Sequence, residues 1–269
     1  GFGKQTRRSH NKSFTIDNAA TILGGRNIGN EYFVADPQLD FLDLDVLVMG
    51  PVVKEVSYSF DKFWNHELSY PISVLSKEKP SIEESKGALE RFSQFIQTQE
   101  DSAYIKRLRN TDLVKALKEN GVNNIWAVGY IVADDPEKLV TDTRDTTYHL
   151  SEQIRQYFSN IQSDLLVFSP YFVPGKEGVA FFKELRERNV RVRILTNSLA
   201  SNDVPVVHSG YANYRRALLR MGVELYELKS DIGKEIQKGA FYESKSSLHA
   251  KAFVLDKEKV FIGSLNFDP

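Results

Sequence analysis

The chain of 269 residues carries 35 basic and 36 acidic side chains, a formal net charge of −1, and 41% hydrophobic residues, enough apolar material for a substantial globular core. Balanced charge leaves no global basic field, which argues against a nonspecific nucleic-acid binder. The absence of cysteine excludes disulfides and thiolate metal sites, no run approaches the roughly eighteen apolar residues of a membrane span, and no signal peptide is expected.

From His10 onward the pattern reads as strand, tight turn and strand, with Asp17-Asn18 as the turn and Gly24-Gly25 closing the second strand. Phe41 to Val53 alternates and carries Asp43 and Asp45 on one face before the breaker Gly50-Pro51. Residues 52 to 70 have helical spacing at Val53, Val56, Phe60, Phe63 and Trp64, an aromatic stripe expected in the core, with His66 as a surface or capping residue. Between Ser76 and Asn120 the chain is charge-rich, with apolar stripes at Leu89, Phe92, Phe95, Ile96 and then Leu108, Leu113, Leu117. These predict two or three amphipathic helices, a solvated bundle covering the sheet, with a lid or membrane-facing surface as the alternative. Ile125 to Val132 predicts a buried strand broken at Asp134-Asp135-Pro136.

The next hundred residues alternate strand and helix: strands at 164–169, 190–196 and 223–228, helices near 178–188 and 211–221. Ser169 to Pro174, with Tyr171, and Leu195-Thr196-Asn197-Ser198 follow such strands at their carboxyl ends, where ligands of open α/β sheets bind. His208 is expected in the loop before the last helix. Small basic groups, Lys4, Arg7 and Arg8, and Lys229, Lys234, Lys238 and Lys245, could meet anionic head groups.

The last twenty-one residues repeat the first motif. His249, Lys251, Phe253, Asp256, Gly263 and Asn266 match His10, Lys12, Phe14, Asp17, Gly24 and Asn27 at a constant offset of 239. Six identities in eighteen ungapped positions exceed the roughly one expected by chance. Alternation puts each His beside its Lys on one strand face, while Asp17 and Asp256, an odd step away, point elsewhere and are expected to hold the turn or to support the catalytic groups from behind rather than touch substrate. Gly25 and Ser264, with almost no side chain, let backbone donors approach an anion. Packing gives no reason to keep an ionisable His, a Lys and an Asp in one register twice, whereas a symmetric site does. Two facing histidines can divide a double displacement, one attacking and the other protonating the leaving group. Two lysines suit the non-bridging oxygens of a phosphoryl group. Either Asp43 or Asp45 could fix the tautomer of a catalytic imidazole.

This pattern, His-x-Lys-x4-Asp-x6-Gly-Gly/Ser present twice, resembles the paired signature of the phospholipase D superfamily. The stretches Gly24 to Tyr32, Asp43 to Val53, Ser169 to Pro174, Leu195 to Ala200 and Val204 to Tyr211 resemble its bacterial cardiolipin synthase branch, the C type in particular. The resemblance implies an α/β phospholipase D-like fold: two pseudo-symmetric halves with mixed sheets flanked by helices and the active site between them. Residues 1–140 would form the first half, with the helical insertion at about 76–120 and its upstream part missing, and 141–269 the second, cut short at its end. On this reading the chain is a central fragment of a longer protein. The resemblance also implies a phosphohistidine on His10 or His249, phosphate oxygens held by Lys12, Lys251, Asn27 and Asn266, and an acid, best Asp43, reaching the histidine of the opposite half. It implies no cofactor or metal, phosphatidylglycerol and phosphatidylethanolamine as lipid partners, and a peripheral place on the cytoplasmic side of the bacterial inner membrane. The acceptor, alcohol or water, stays open, as does any accessory membrane protein; a nuclease or other phosphodiesterase on the same scaffold is the alternative.

Overall fold

The structure is a computed structural model that describes residues 9–36, 38–76, 79–119, 121–142, 145–230 and 245–267. The chain divides into two compact units, residues 1–64 with 130–269, and residues 65–129. In the first unit, β1 (Ser13–Ile16) and β2 (Ala20–Gly24) form the first hairpin, followed by β3 (Leu39–Leu42), β4 (Asp45–Met49) and α1 (Val52–Trp64). The hairpin turn has φ of 52° at Asp17 and 53° at Asn18, with Ala19 N–H donating to Ile16 C=O at 2.9 Å. Asp and Asn tolerate this left-handed pair, which suits the twist of a hairpin.

The second unit holds α2 (Ile72–Leu75), α3 (Ile82–Gln99), α4 (Ala103–Arg109) and α5 (Asp112–Lys118). Ser81 caps α3 in a reciprocal box with Glu84, and Ser102 and Thr111 cap the next two helices, each cap satisfying an otherwise orphaned helical N–H. The apolar stripes are largely open: Leu89, Phe92, Phe95 and Leu113 are each more than half exposed. The strand expected at Ile125 to Val132 is absent; its residues take no regular structure, and Ile125 and Trp126 are 94% and 93% exposed. The apolar run has no ladder partner among the described residues, and a strand without one cannot satisfy its backbone.

The first unit resumes with α6 (Leu150–Ser159), β5 (Asp164–Phe168), α7 (Gly175–Glu187), β6 (Arg191–Asn197), α8 (Pro205–Arg220), β7 (Glu224–Leu228), β8 (Lys245–Leu248), β9 (Lys251–Leu255) and β10 (Lys259–Gly263). Five strands form a mixed sheet in the order β10-β9-β5-β6-β7, with β5, β6 and β7 parallel and β9 antiparallel to β5. Leu165, Val167, Val192, Ile194 and Phe253 from its strands meet Phe182 and Leu185 of α7 and Leu218 of α8, all buried in one cluster. Each such side chain contributes about 1.5–3 kcal/mol through burial. The first hairpin pairs through β2 with β4 in a smaller sheet, β1-β2-β4.

Several expectations are corrected. The first helix stops at Trp64 rather than reaching residue 70. Only Val53 and Val56 of its stripe are buried, while Phe60 and Trp64 stack on each other, 52% and 69% exposed. His208 lies inside α8, which begins at Pro205, because proline is well placed in a first helical turn. His249 is not within a strand: β8 ends at Leu248 and β9 begins at Lys251, and likewise His10 and Lys12 precede β1.

Candidate active site

Two segments distant in sequence are joined by a short parallel ladder. β3 pairs with β8 in the register Leu39↔Lys245 to Leu42↔Leu248, and the N–H groups of His249 and Ala250 both donate to Leu42 C=O, at 2.8 and 3.0 Å. One step beyond the last pair, Asp43 therefore meets His249. Asp43 Oδ2 lies 2.7 Å from His249 Nδ1, with the carboxylate wholly buried and the imidazole 8% exposed. An ionised carboxylate only accepts, so Nδ1 carries the proton and donates it to Asp43; the lone pair of the neutral ring is then on Nε2. The position of Asp43 departs from the expected strand: it lies between β3 and β4 rather than sharing a face with Asp45, which instead pairs with Arg26 at 2.5 Å.

Burial pushes the Asp43 carboxyl upward, but the His249 hydrogen bond and charge, the Leu44 N–H and the Lys251 charge outweigh it and hold it below the usual carboxylate range. Lys251 is almost fully buried. Its Nζ donates to His249 C=O at 2.5 Å and sits 3.0 and 3.1 Å from the two ring nitrogens. Lys12 bends the same way in the first motif, Nζ donating to His10 C=O at 3.0 Å. Each lysine is thus folded back beside its own histidine, through a bond to the histidine carbonyl rather than through the expected strand parity, since neither histidine sits inside a strand.

His10 belongs to the same electrostatic neighbourhood. Burial, then the charges of Lys12, Lys251 and His249, lower it to about 4 from 6.5, opposed by the hydrogen bond its ring donates to the Ser264 backbone. Burial also lowers Lys12, partly offset by Asp43. The structure therefore brings both His-Lys pairs, Asp43 and Ser264 into one region of the first unit.

The two motif aspartates lie away from this region, in the hairpin turns. Asp256, grouped with the catalytic motif in the sequence, is in the hairpin turn with φ 54°. Its carboxylate accepts from the N–H groups of Gln162, Ser163 and Asp164 at 2.7–3.1 Å. Asp17 occupies the equivalent turn in the first hairpin. Both sit in turns at the ends of their hairpins away from the His-Lys pairs. Gly25 faces Asp43: a Cβ there would overlap Asp43 Oδ1 and come 2.9 Å from Oδ2, so the missing side chain admits the carboxylate. Tyr171 Oη donates to Asp203 at 2.7 Å. Asn27 Nδ2 donates to Tyr32 Oη at 2.7 Å, and Asn266 Oδ1 is buried with no hydrogen-bond partner among the described residues. Lys4, Arg7, Arg8, Lys234 and Lys238 lie outside the described residues. Among the described residues, no group of three or more His, Asp or Glu is placed to hold a metal ion.

The sequence alone did not single out Tyr32. Its ring packs on Phe41 and edge-on against His249, with Oη 3.4 Å from Nε2. The signal was the position of Tyr32 in the run that follows Gly24-Gly25, where an aromatic follows an Asn by five residues.

A family model described as "Cardiolipin synthase, PLD-like domain" matches residues 154–269. The chain is 37% identical over 271 aligned positions to cardiolipin synthase C of Escherichia coli (strain K12), covering 100% of this chain and 57% of that protein. It is 24% identical over 265 positions to a cardiolipin synthase of Halalkalibacterium halodurans, covering 97% and 40%. The chain thus spans about half the length of the curated relatives it matches. Among solved structures, the phosphatidylserine synthase of Haemophilus influenzae aligns with a TM-score of 0.50 and 17% identity, over 97% of this chain and 54% of that one, a likeness of fold. The doubled His-Lys motif, the mixed sheet and these similarities agree: the chain belongs to the phospholipase D superfamily.

Proposed function

We propose that this chain carries the catalytic centre of a phosphatidyltransferase of the cardiolipin synthase kind, acting by double displacement through a phosphohistidine. The observation that carries the reading is the 2.7 Å contact of Asp43 with His249 across the two halves, with both lysines folded beside their histidines. His10, held neutral near pH 7 by burial and its cationic neighbours, suits the nucleophile. His249, whose Nδ1–H is anchored by a carboxylate, suits the imidazolium that donates from Nε2.

In the first step His10 nitrogen bonds to phosphorus, the bond from phosphorus to the head-group oxygen breaks, and that oxygen takes the proton from His249. In the second step neutral His249 removes a proton from an incoming hydroxyl, whose oxygen bonds to phosphorus as the phosphorus–nitrogen bond breaks. Lys12, Lys251, Asn27 and Asn266 hold the non-bridging oxygens, with Ser264 and Gly25 as the small residues beside them and Tyr171 at the rim. The donor is phosphatidylglycerol or phosphatidylethanolamine and the acceptor the head group of phosphatidylglycerol, met at a membrane surface. No described helix is long and apolar enough to cross a membrane.

The test uses full-length protein with vesicles of both lipids, read by mass spectrometry beside His10→Ala and His249→Ala. Cardiolipin formed by the native protein, retained in chelator and lost in both variants, is the expected result. Phosphatidic acid as the sole product would make it a hydrolase, and loss of activity in chelator restored by one metal would overturn the mechanism.

A further inference from the structure

His249 is reached from a second side by a residue that belongs to neither repeat. Asn197, the last residue of β6, is buried, and its side-chain amide pairs with both backbone groups of Leu248. Asn197 Oδ1 accepts the Leu248 N–H at 2.8 Å and Nδ2 donates to Leu248 C=O at 2.9 Å. This is the two-bond pattern that a neighbouring strand would offer, supplied by one side chain. The Ser201 hydroxyl lies 3.2 Å from Asn197 Oδ1 and 3.0 Å from Leu228 C=O, itself buried.

Leu248 is the residue immediately before His249, and it is also the last to pair with Leu42 in the β3–β8 ladder. The chain at that point is held from both flanks, by Leu42 and by Asn197, and then leaves regular structure for two residues before β9. The apolar surroundings are Leu42, Leu195, Leu228, Leu248 and Ala250, so the Leu248 groups would lose the amide among hydrocarbon. An apolar side chain of similar size would fill the space and leave both Leu248 groups unpaired.

We infer that Asn197 is a positioning residue for His249: by clamping the backbone of Leu248 it fixes where the imidazole leaves β8, and so keeps Nδ1 on Asp43 and Nε2 facing the oxygen to which it gives, or from which it takes, the proton. The inference rests on the two-histidine reading for its effect on turnover, but the placement of the ring can be read without substrate. Histidine geometry off by about 1 Å costs on the order of a hundredfold in rate.

The experiment compares Asn197→Leu and Ser201→Ala with the native full-length protein. Turnover of phosphatidylglycerol vesicles is measured against pH, together with the downfield proton resonance of the Asp43-bound Nδ1–H, identified by its loss in His249→Gln. Asn197→Leu is expected to lose or move that resonance and to lower kcat about a hundredfold per folded molecule, with KM within about twofold; its pH profile should shift toward that of Asp43→Asn. Ser201→Ala, which leaves the amide in place with one support fewer, is expected to shift the resonance and to lower kcat by a smaller factor. It decides the matter if Asn197→Leu does not fold. An unmoved resonance, or native kcat per folded molecule, in a folded Asn197→Leu, or in Ser201→Ala where Asn197→Leu does not fold, overturns the inference. Full turnover in His249→Ala with the resonance still sensitive to Asn197 would instead overturn the two-histidine reading and leave the clamp standing.

Discussion

Phe14 and Phe253 hold the same place in the two hairpins, 239 positions apart, yet Phe14 is 61% exposed and Phe253 is fully buried. The difference follows from their neighbours. β9 is flanked by β10 and β5 and covered by the aromatic cluster of Phe158, Phe261 and Phe267, whereas β1 pairs with β2 alone among the described residues. Phe253→Ala should therefore destabilise this chain by about 3–5 kcal/mol, and Phe14→Ala by no more than about 0.5 kcal/mol. Urea unfolding of the two variants checks this, and equal losses would contradict the packing difference.

Gly24 and Gly25 should fail in different ways when given a methyl group. At Gly25 the new Cβ meets the Asp43 carboxylate, a side chain that can swing, so Gly25→Ala should fold while pushing Asp43 away from His249. At Gly24 it meets the Asp45 side chain and also the Leu44 C=O at 2.6 Å, which the backbone cannot easily yield. Gly25→Ala is expected to lower kcat by about a hundredfold or more, as removal of a tautomer-fixing carboxylate does, with little loss of melting temperature. Gly24→Ala is expected to lose about 1–3 kcal/mol through overpacking. Thermal melts beside lipid turnover separate the two outcomes.

The sequence made the doubled His-Lys motif legible and the framework around it only partly so. Constant spacing exposed the two His-Lys pairs, but strand parity did not apply, since both histidines lie outside strands and each lysine instead bonds its own histidine carbonyl. The parallel ladder between β3 and β8 could not be read, because Lys245-Ser-Ser-Leu248 lacks the apolar alternation of a buried strand; its stability comes from Leu42, Asn197 and Ser230 on its flanks. That ladder is what delivers Asp43 to His249, so the cross-half acid came from family resemblance and not from local pattern. Ile125 to Val132 failed in the opposite sense: the pattern is that of a strand, but a strand is a property of two segments and no partner is present among the described residues.

Asp256 should matter to stability more than Asp17. Its carboxylate serves three successive backbone N–H groups and the Ser163 hydroxyl, and burial, which would raise it, is outweighed by those bonds, so that its pKa lies below the usual carboxylate range. Asp256→Ala leaves these donors without it, at a cost of about 1–3 kcal/mol. A folded-state pKa below the unfolded one means that this contribution is present above the unfolded pKa of 3.8 and is lost as pH falls through the folded value. Chemical unfolding of native chain and Asp256→Ala at neutral and acid pH checks both points: the gap between them should close as the pH drops below about 4. A gap that persists unchanged at low pH would show that packing, not the carboxylate, carries the effect.

His10 sets a second and higher window. Its folded pKa is lowered to about 4 from 6.5, chiefly by burial and then by Lys12, Lys251 and His249. Between these values the unfolded chain takes up a proton that the folded chain does not, so the folded state loses ground as pH falls from 6.5 toward 4. His10 is only partly covered and keeps part of its surface in solvent, and screening keeps the loss small. His10→Ala should flatten this part of the stability profile while leaving the lower window, where Asp43 and Asp256 are protonated, in place. In turnover the same group keeps its lone pair well below neutral pH, so the acid limb of the rate profile should lie nearer 4 than 6.5 if His10 is the nucleophile. An acid limb at 6.5, unmoved when Lys12 is replaced by Met, would transfer the nucleophilic role to His249, which is the one assignment in the proposed mechanism that the symmetry of the two motifs leaves free to change.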